Sequence, residues 1–260
     1  MEGKKAMKTV LLLGDITGRS RVALRMLSAV LEDAGHEVLM LPTALISNTL
    51  NLGKHEALDT TAYLVRSLRL WEDLGLRIDM AYIGYITGME QARCLADEAD
   101  RLRKRGIPVI VDPILGDNGK KYLSVTQEQA EGMKLLCAHA DLITPNLTEA
   151  GLLADGRDDM ADGEHLRRTL AAGSRSVLIT SAKTEQGEDA VLGFDAERGE
   201  AFSVPFERVP GHHWGTGDLF TGLLMDGLLC GLGLEAAVSR ASGRVYRQLA
   251  GAERSLLPEQ

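Results

Sequence analysis

Ile107-Pro108-Val109-Ile110-Val111 runs directly into Asp112-Pro113. The first five residues are nearly all apolar, with no alternation of polar and apolar positions. A strand of that kind is buried on both faces, as strands are in parallel sheets covered by helices. Working outward, Gln91 to Arg105 has a helical apolar pattern and Met80 to Ile83 reads as another strand. Farther upstream, Thr9 to Leu13 is a strand. Ala23, Leu27, Val30, Leu31 and Ala34 fall on one helical face that Gly35 closes, and Glu37 to Leu41 is a second strand. Pro42 to His55, rich in asparagine, reads as a loop, and Leu58, Ala62, Val65 and Leu68 mark a helix. Downstream, Gln127 to His139 is helical, and Leu142 to Ile143 and Val177 to Thr180 are strands. Alternation of this kind predicts an α/β fold, a three-layer α/β/α sandwich around a mostly parallel central sheet.

After Lys183 the rhythm changes. Asp189 to Phe194 and Glu200 to Phe206 flank Asp195-Ala196-Glu197-Arg198-Gly199, which predicts an antiparallel hairpin at one edge of the sheet. Helices follow over Leu219 to Leu229 and Ala236 to Leu249. No repeat, low-complexity stretch or linker divides the chain, so residues 1–260 are expected to form one domain.

Composition narrows the function. The 260 residues are 45% hydrophobic and carry a formal net charge of −8, with both signs mixed along the chain. That balance argues against a nucleic-acid partner, which would need a clustered basic face. The densest basic run, Arg101 to Arg105, sits at a helix C-terminus, where cations complement the dipole. Cys94, Cys137 and Cys230 are far apart, with no metal or CxxC spacing, and read as small buried hydrophobes of a reducing compartment. Val10 to Leu13 is far too short to span a membrane, and a cytoplasmic protein with no membrane partner is expected.

Ligands of open α/β sheets bind beyond the carboxyl ends of the strands. Those ends read Gly14-Asp15-Ile16-Thr17-Gly18, Gly84-Tyr85-Ile86-Thr87-Gly88, Asp112-Pro113-Ile114-Leu115-Gly116-Asp117-Asn118-Gly119-Lys120 and Thr144-Pro145-Asn146-Leu147-Thr148-Glu149. There is no Walker A sequence, no HExxH and no GxSxG. Gly231-Leu232-Gly233-Leu234-Glu235-Ala236 matches GxGxxA but joins two helices, so the dinucleotide context is missing.

The strongest signal is Gly215-Thr216-Gly217-Asp218 before an apolar helix. Two glycines let the backbone turn with its N–H groups outward, and the helix N-terminus adds positive potential, which together make an anion hole. Asp218 in the first turn can take a proton from an attacking hydroxyl; it can equally cap the helix. Asn146 and Glu149 have the spacing of a capping box, and also of a pair facing nucleotide phosphates and a magnesium ion. Asp112-Pro113 is a common turn pair and also a candidate ligand-side carboxylate. Lys183 follows a strand, either solvated or paired with a phosphate.

Taken in order, the Asp112–Lys120 run, Thr144-Pro145-Asn146-Leu147-Thr148-Glu149-Ala150 and Gly215-Thr216-Gly217-Asp218-Leu219-Phe220 resemble the ribokinase-like superfamily, and within it the pyridoxal (pyridoxamine) kinase branch. The resemblance covers nearly the whole chain. It implies ATP-dependent phosphorylation of the 5′-hydroxymethyl of a vitamin B6 vitamer, with ATP and Mg²⁺ required and a homodimer common among such enzymes. It implies Asp218 as the base and Gly215, Thr216 and Gly217 as the anion hole. It places Asp112, Asn146, Glu149 and Lys183 at the nucleotide, with Asp112 and Glu149 toward the metal. Asp15, Thr17, Ser47 and Tyr85 fall on the substrate side. Arg19-Ser20 and the asparagine-rich 42–53 segment depart from the branch, in loops that would choose the alcohol. A hydroxymethylpyrimidine kinase of the same superfamily is the nearest rival expectation, and a non-catalytic nucleotide- or vitamin-binding regulator is the rival from another class.

Overall fold

The computed structural model describes residues 7–49, 54–154, 167, 170, 175–184, 186–211 and 213–251. Eleven strands and seven helices are present among them. The strands are β1 Thr9–Thr17, β2 Glu37–Ile46, β3 Ala57–Asp59, β4 Met80–Ile83, β5 Val109–Val111, β6 Gly116–Asp117, β7 Lys120–Lys121, β8 Leu142–Ile143, β9 Ser176–Lys183, β10 Asp189–Asp195 and β11 Glu200–Pro205. The helices are α1 Leu24–Asp33, α2 Thr61–Asp73, α3 Met89–Lys104, α4 Gln127–Ala138, α5 Leu147–Ala154, α6 Thr216–Leu229 and α7 Leu234–Leu249.

Nine strands form one sheet in the order β11-β10-β9-β8-β5-β4-β1-β2-β3. The six from β9 to β2 pair in parallel. The expected hairpin, β10–β11, closes one edge in antiparallel fashion. Alternate residues of β1 serve opposite layers. Leu11 and Leu13 pack into a core with residues of α2, α3, α4 and α5, while Val10 and Leu12 join the core built with α1, α6 and α7. On the second face a buried network ties three elements together: Asp226 of α6 meets His36 Nε2 at 3.0 Å and the Arg240 guanidinium of α7 at 2.8 Å.

Three local expectations change. The first strand continues through Asp15 to Thr17, and the second continues through Pro42 to Ile46, where a loop was expected. Pro42 has no N–H to donate, and the register slips there: Gly14 pairs with Pro42 but Asp15 with Ala44, leaving Thr43 as an extra residue. Leu58, expected on a helix, lies in β3, which pairs antiparallel with β2, so both edges of the sheet end antiparallel. The helix begins at Thr61, whose amide donates to Asp59 Oδ1 at 2.8 Å. Third, the glycine turn is the first turn of α6 rather than its approach: Gly215 is the N-cap in the left-handed region at φ 79°, and Thr216 to Asp218 are already helical.

Candidate active site

A cavity of about 600 Å³ opens where β1, β4, β5 and β8 end. Asp15, Thr17, Gly84, Tyr85, Asp112, Asn146, Glu149 and all of Gly215 to Asp218 line it. The sequence order is therefore gathered at one sheet edge, as the topology of a parallel sheet requires.

The turn at Gly215 is shaped by close approach. A Cβ there would meet the Arg21 carbonyl at 3.2 Å, and the left-handed φ further favours glycine. Thr216 donates its hydroxyl to the His213 carbonyl at 2.7 Å, which ties the turn to the preceding loop. The Leu219 amide bonds back to Gly215, whereas the amides of Thr216, Gly217 and Asp218 precede any intrahelical acceptor. A Cβ on Gly217 would find open space. Donors with open space before them at a helix N-terminus suit an anion.

Asp218 is half-buried, and its Oδ2 accepts the Ala23 amide at 2.8 Å. Burial pushes its carboxyl up to about 6, with that amide pulling the other way. Ala23 itself has φ 50° and ψ −136°, a conformation that costs any residue with a Cβ. Nothing in the pattern of the α1 segment announced this contact. Asp15 is pushed up to about 7, first by burial and then by the neighbouring charge of Asp218. Asp112 rises to about 7 for the same two reasons. Glu149 is held well above the usual carboxylate range, first by burial and then by Asp112. Four crowded acids thus face a cavity whose only lysine or arginine, among the described lining residues, is Arg208.

Asn146 and Glu149 form the reciprocal capping pair: Asn146 Oδ1 accepts the Glu149 amide at 3.0 Å, and Glu149 Oε2 accepts the Asn146 amide at 2.9 Å. Glu149 Oε1 also accepts the Leu115 amide at 3.1 Å, and the Asn146 side-chain amide donates to the Gly116 carbonyl at 2.8 Å. The cap and a place in the cavity wall are therefore compatible. Asp112 faces the hydroxyls of Tyr82, 3.5 Å away, Thr144 and Thr221. Among the described residues no three His, Cys, Asp or Glu side chains converge on a metal-sized point. Asp112, with Glu149 behind it, could hold an ion whose remaining ligands are phosphate oxygens and water, which is how Mg²⁺ is commonly bound.

Tyr85 is buried, its hydroxyl accepting from Gln129 Nε2 at 2.9 Å. Thr17 donates to the Arg19 carbonyl at 2.9 Å. Ser47 and Lys183 stand apart from the lining. Ser47 is exposed and accepts the Glu56 amide, and Lys183 is exposed and directed at Asp189, 3.3 Å away. Arg208, in the loop after β11, also grips Asp189, at 3.1 and 3.2 Å, and does line the cavity. Sequence reading missed it because a lone arginine between hairpin and glycine turn has no spacing signature. It also missed Val245 and Leu249 of α7, which line the cavity, because apolar residues on an amphipathic helix read as core.

The family model described as phosphomethylpyrimidine kinase matches residues 32–256. The chain belongs to that family. This member is 38% identical over 177 residues to the pyridoxine/pyridoxal/pyridoxamine kinase of Bordetella avium, a match covering 65% of the chain and 58% of the relative. The chain thus spans less than two thirds of that relative's length. In structure, the family member resembles a phosphomethylpyrimidine kinase of Bacteroides thetaiotaomicron crystallised with pyridoxal, with TM-score 0.85, 28% identity and coverage of 95% and 88% of the two chains. It resembles the pyridoxal kinase of Lactobacillus plantarum with TM-score 0.82, 26% identity and coverage of 97% and 94%. The ribokinase-like, three-layer architecture follows. Among the described residues no helix is long and apolar enough to cross a membrane.

Proposed function

We propose that this chain is an ATP-dependent kinase that phosphorylates the hydroxymethyl group of a vitamin B6 vitamer. The observation that carries the reading is the half-buried Asp218 carboxylate in the first turn of α6, beside amides that precede any intrahelical acceptor and open space at Gly217. A base and an anion hole on one helical turn are what transfer of a phosphoryl group to an alcohol needs. The protein's task is then positioning and charge neutralisation.

Asp218 accepts the proton of the substrate hydroxyl. Its carboxyl, raised to about 6, is largely ionised at neutral pH and more basic than an ordinary aspartate. The amides of Thr216, Gly217 and Asp218 receive the transferring phosphoryl. Arg208 is the cation that the lining offers to nucleotide phosphates. Asp112 and Glu149 would hold Mg²⁺, which would supply charge neutralisation for the phosphates. Asp15, Thr17 and Tyr85 form the substrate wall. The 27% identity over 184 residues to the hydroxymethylpyrimidine/phosphomethylpyrimidine kinase of Rhizobium meliloti supports a second reading, in which the alcohol is a hydroxymethylpyrimidine. A homodimer, resting on the sequence resemblance, and a cytoplasmic location, resting on the isolated cysteines, complete the proposal.

The test is ATP consumption with pyridoxal, pyridoxamine, pyridoxine and hydroxymethylpyrimidine in parallel, for the native protein and Asp218→Asn. Turnover with at least one alcohol is expected, and the variant should lose about 10²–10⁴ of it while binding ATP normally. Binding of an alcohol without turnover would instead indicate a regulator on the same scaffold, and near-normal turnover in the variant would remove Asp218 from its role.

A further inference from the structure

Asp189 holds two cations on one carboxylate. It opens β10, where its cross-strand partner is Lys183 of β9, and Lys183 Nζ lies 3.3 Å from Asp189 Oδ1. Arg208 comes from the loop after β11 and reaches the same carboxylate with Nη2 at 3.1 Å and Nε at 3.2 Å. That two-pronged fit of a guanidinium on a carboxylate is also how arginine takes a phosphate. The Asp189 carbonyl accepts the Phe206 amide at 2.9 Å, so the same residue fixes where the loop begins.

Two cations on one anion leave a positive surplus at the rim of a cavity lined by crowded acids. Arg208 lines that cavity, whereas Asp189 and Lys183 do not. The arginine therefore belongs to the ion cluster and to the cavity at once. It can leave Asp189 without stranding a charge, because Lys183 stays behind as counter-ion. The pair is also loose: the Arg208 side chain is 59% exposed, so water and salt screen it. A phosphate carries more charge than a carboxylate and offers the guanidinium fork a similar pair of oxygens. A nucleotide whose phosphates enter the cavity thus competes with Asp189 for Arg208 on favourable terms.

We propose that Asp189 is a positioning residue that holds Arg208 in the empty protein and yields it to a phosphate of the bound nucleotide. Lys183 remains on Asp189 throughout, which gives the lysine a role that does not require it in the cavity. Departure of the product reverses the exchange, and Asp189 retakes the fork as the phosphate leaves. Nucleotide binding is therefore weaker than Arg208 alone would make it, and release is correspondingly easier. This inference rests on the kinase reading for the presence of a nucleotide in the cavity but concerns a residue outside it.

The experiment measures Kd for ADP by calorimetry in the native protein, Asp189→Asn, Arg208→Gln and the double variant, with Glu188→Gln as a control that removes an exposed neighbouring charge. An exposed ion pair shifts an equilibrium by about 1.5- to 5-fold, and Asp189→Asn should tighten ADP by that factor. Arg208→Gln should weaken ADP about threefold or more. In the Arg208→Gln background the Asp189 substitution should change nothing further. Unchanged or weaker ADP binding in Asp189→Asn, tightening that persists without Arg208, or equal tightening by Glu188→Gln overturns the inference. A second measurement needs no Asp189 variant. The Arg208 Nε–H resonance of the native protein, assigned by its absence from Arg208→Gln, should move on titration with ADP and stay in place with adenosine, which has no phosphate. A resonance that ignores ADP, or moves equally with adenosine, also overturns it. Binding of neither ADP nor ATP would sink the kinase reading and this one with it, whereas ADP binding indifferent to Arg208→Gln sinks this inference alone.

Discussion

Replacing Ala23 by glycine should stabilise this protein, although glycine usually destabilises. At φ 50° and ψ −136° the alanine Cβ sits in a region that only glycine occupies freely, at a cost of about 1–3 kcal/mol. Glycine returns about 0.4–1 kcal/mol of that through the greater freedom of the unfolded chain. The net gain lies between about 0 and 2.6 kcal/mol, with a mid-range value of about 1 kcal/mol that for a chain of this length raises Tm by about 2–4 °C. The amide that holds Asp218 survives the change, so the acid limb of the rate profile, set by a carboxyl near 6, should stay in place. Urea unfolding at pH 7 reads the stability, and a pH series of kcat/KM reads the base. A variant less stable than the parent refutes the strain. A rate profile that moves although stability rises would show that the strained backbone is what fixes Asp218.

Gly217→Ala should leave stability within about 1 kcal/mol, because its Cβ meets nothing and alanine favours helix. It should nevertheless cut kcat by about 10²–10³ by filling the place a phosphoryl group needs, as steady-state kinetics beside a melting curve would show. Stability should also respond to pH through the crowded acids. Asp15 and Asp112 are raised from 3.8 to about 7 and Asp218 to about 6, so between those limits the folded chain holds protons that the unfolded chain has released. Their contribution is full below about pH 4 and is lost as pH rises toward 7. Urea titrations from pH 4.5 to 8 should find that Asp15→Asn removes part of this decline. Parallel curves for the two proteins would contradict the shift.

The layered fold was legible because strands buried on both faces have no polar alternation, and Val109 to Val111 shows that most plainly. The glycine turn, Asp112 and the Asn146–Glu149 pair were legible because each residue type is tied to a local backbone geometry. What escaped was set by pairing across the chain. Pro42 looked like a loop opener, yet the sheet absorbs it in a bulge that lets β1 carry on to Thr17. Lys183 and Arg208 were indistinguishable as isolated cations. Asp189 binds both, and only the path of the loop after β11 brings one of them to the cavity. Ala23 was invisible because it acts through its amide, which every residue but proline has.

The Ala23–Asp218 bond joins positions 195 residues apart, and the Arg21 carbonyl closes over Gly215 beside it. The cavity wall at Val22 and Ala23 and the turn that carries Asp218 are therefore one mechanical piece. Mutations selected between Gly18 and Ala23 to broaden what the protein accepts will be felt as altered basicity at Asp218. Substrate range and speed are thus not separate dials in this scaffold. Libraries that vary the two segments together will reach new substrates with less loss of rate than libraries that vary the wall alone.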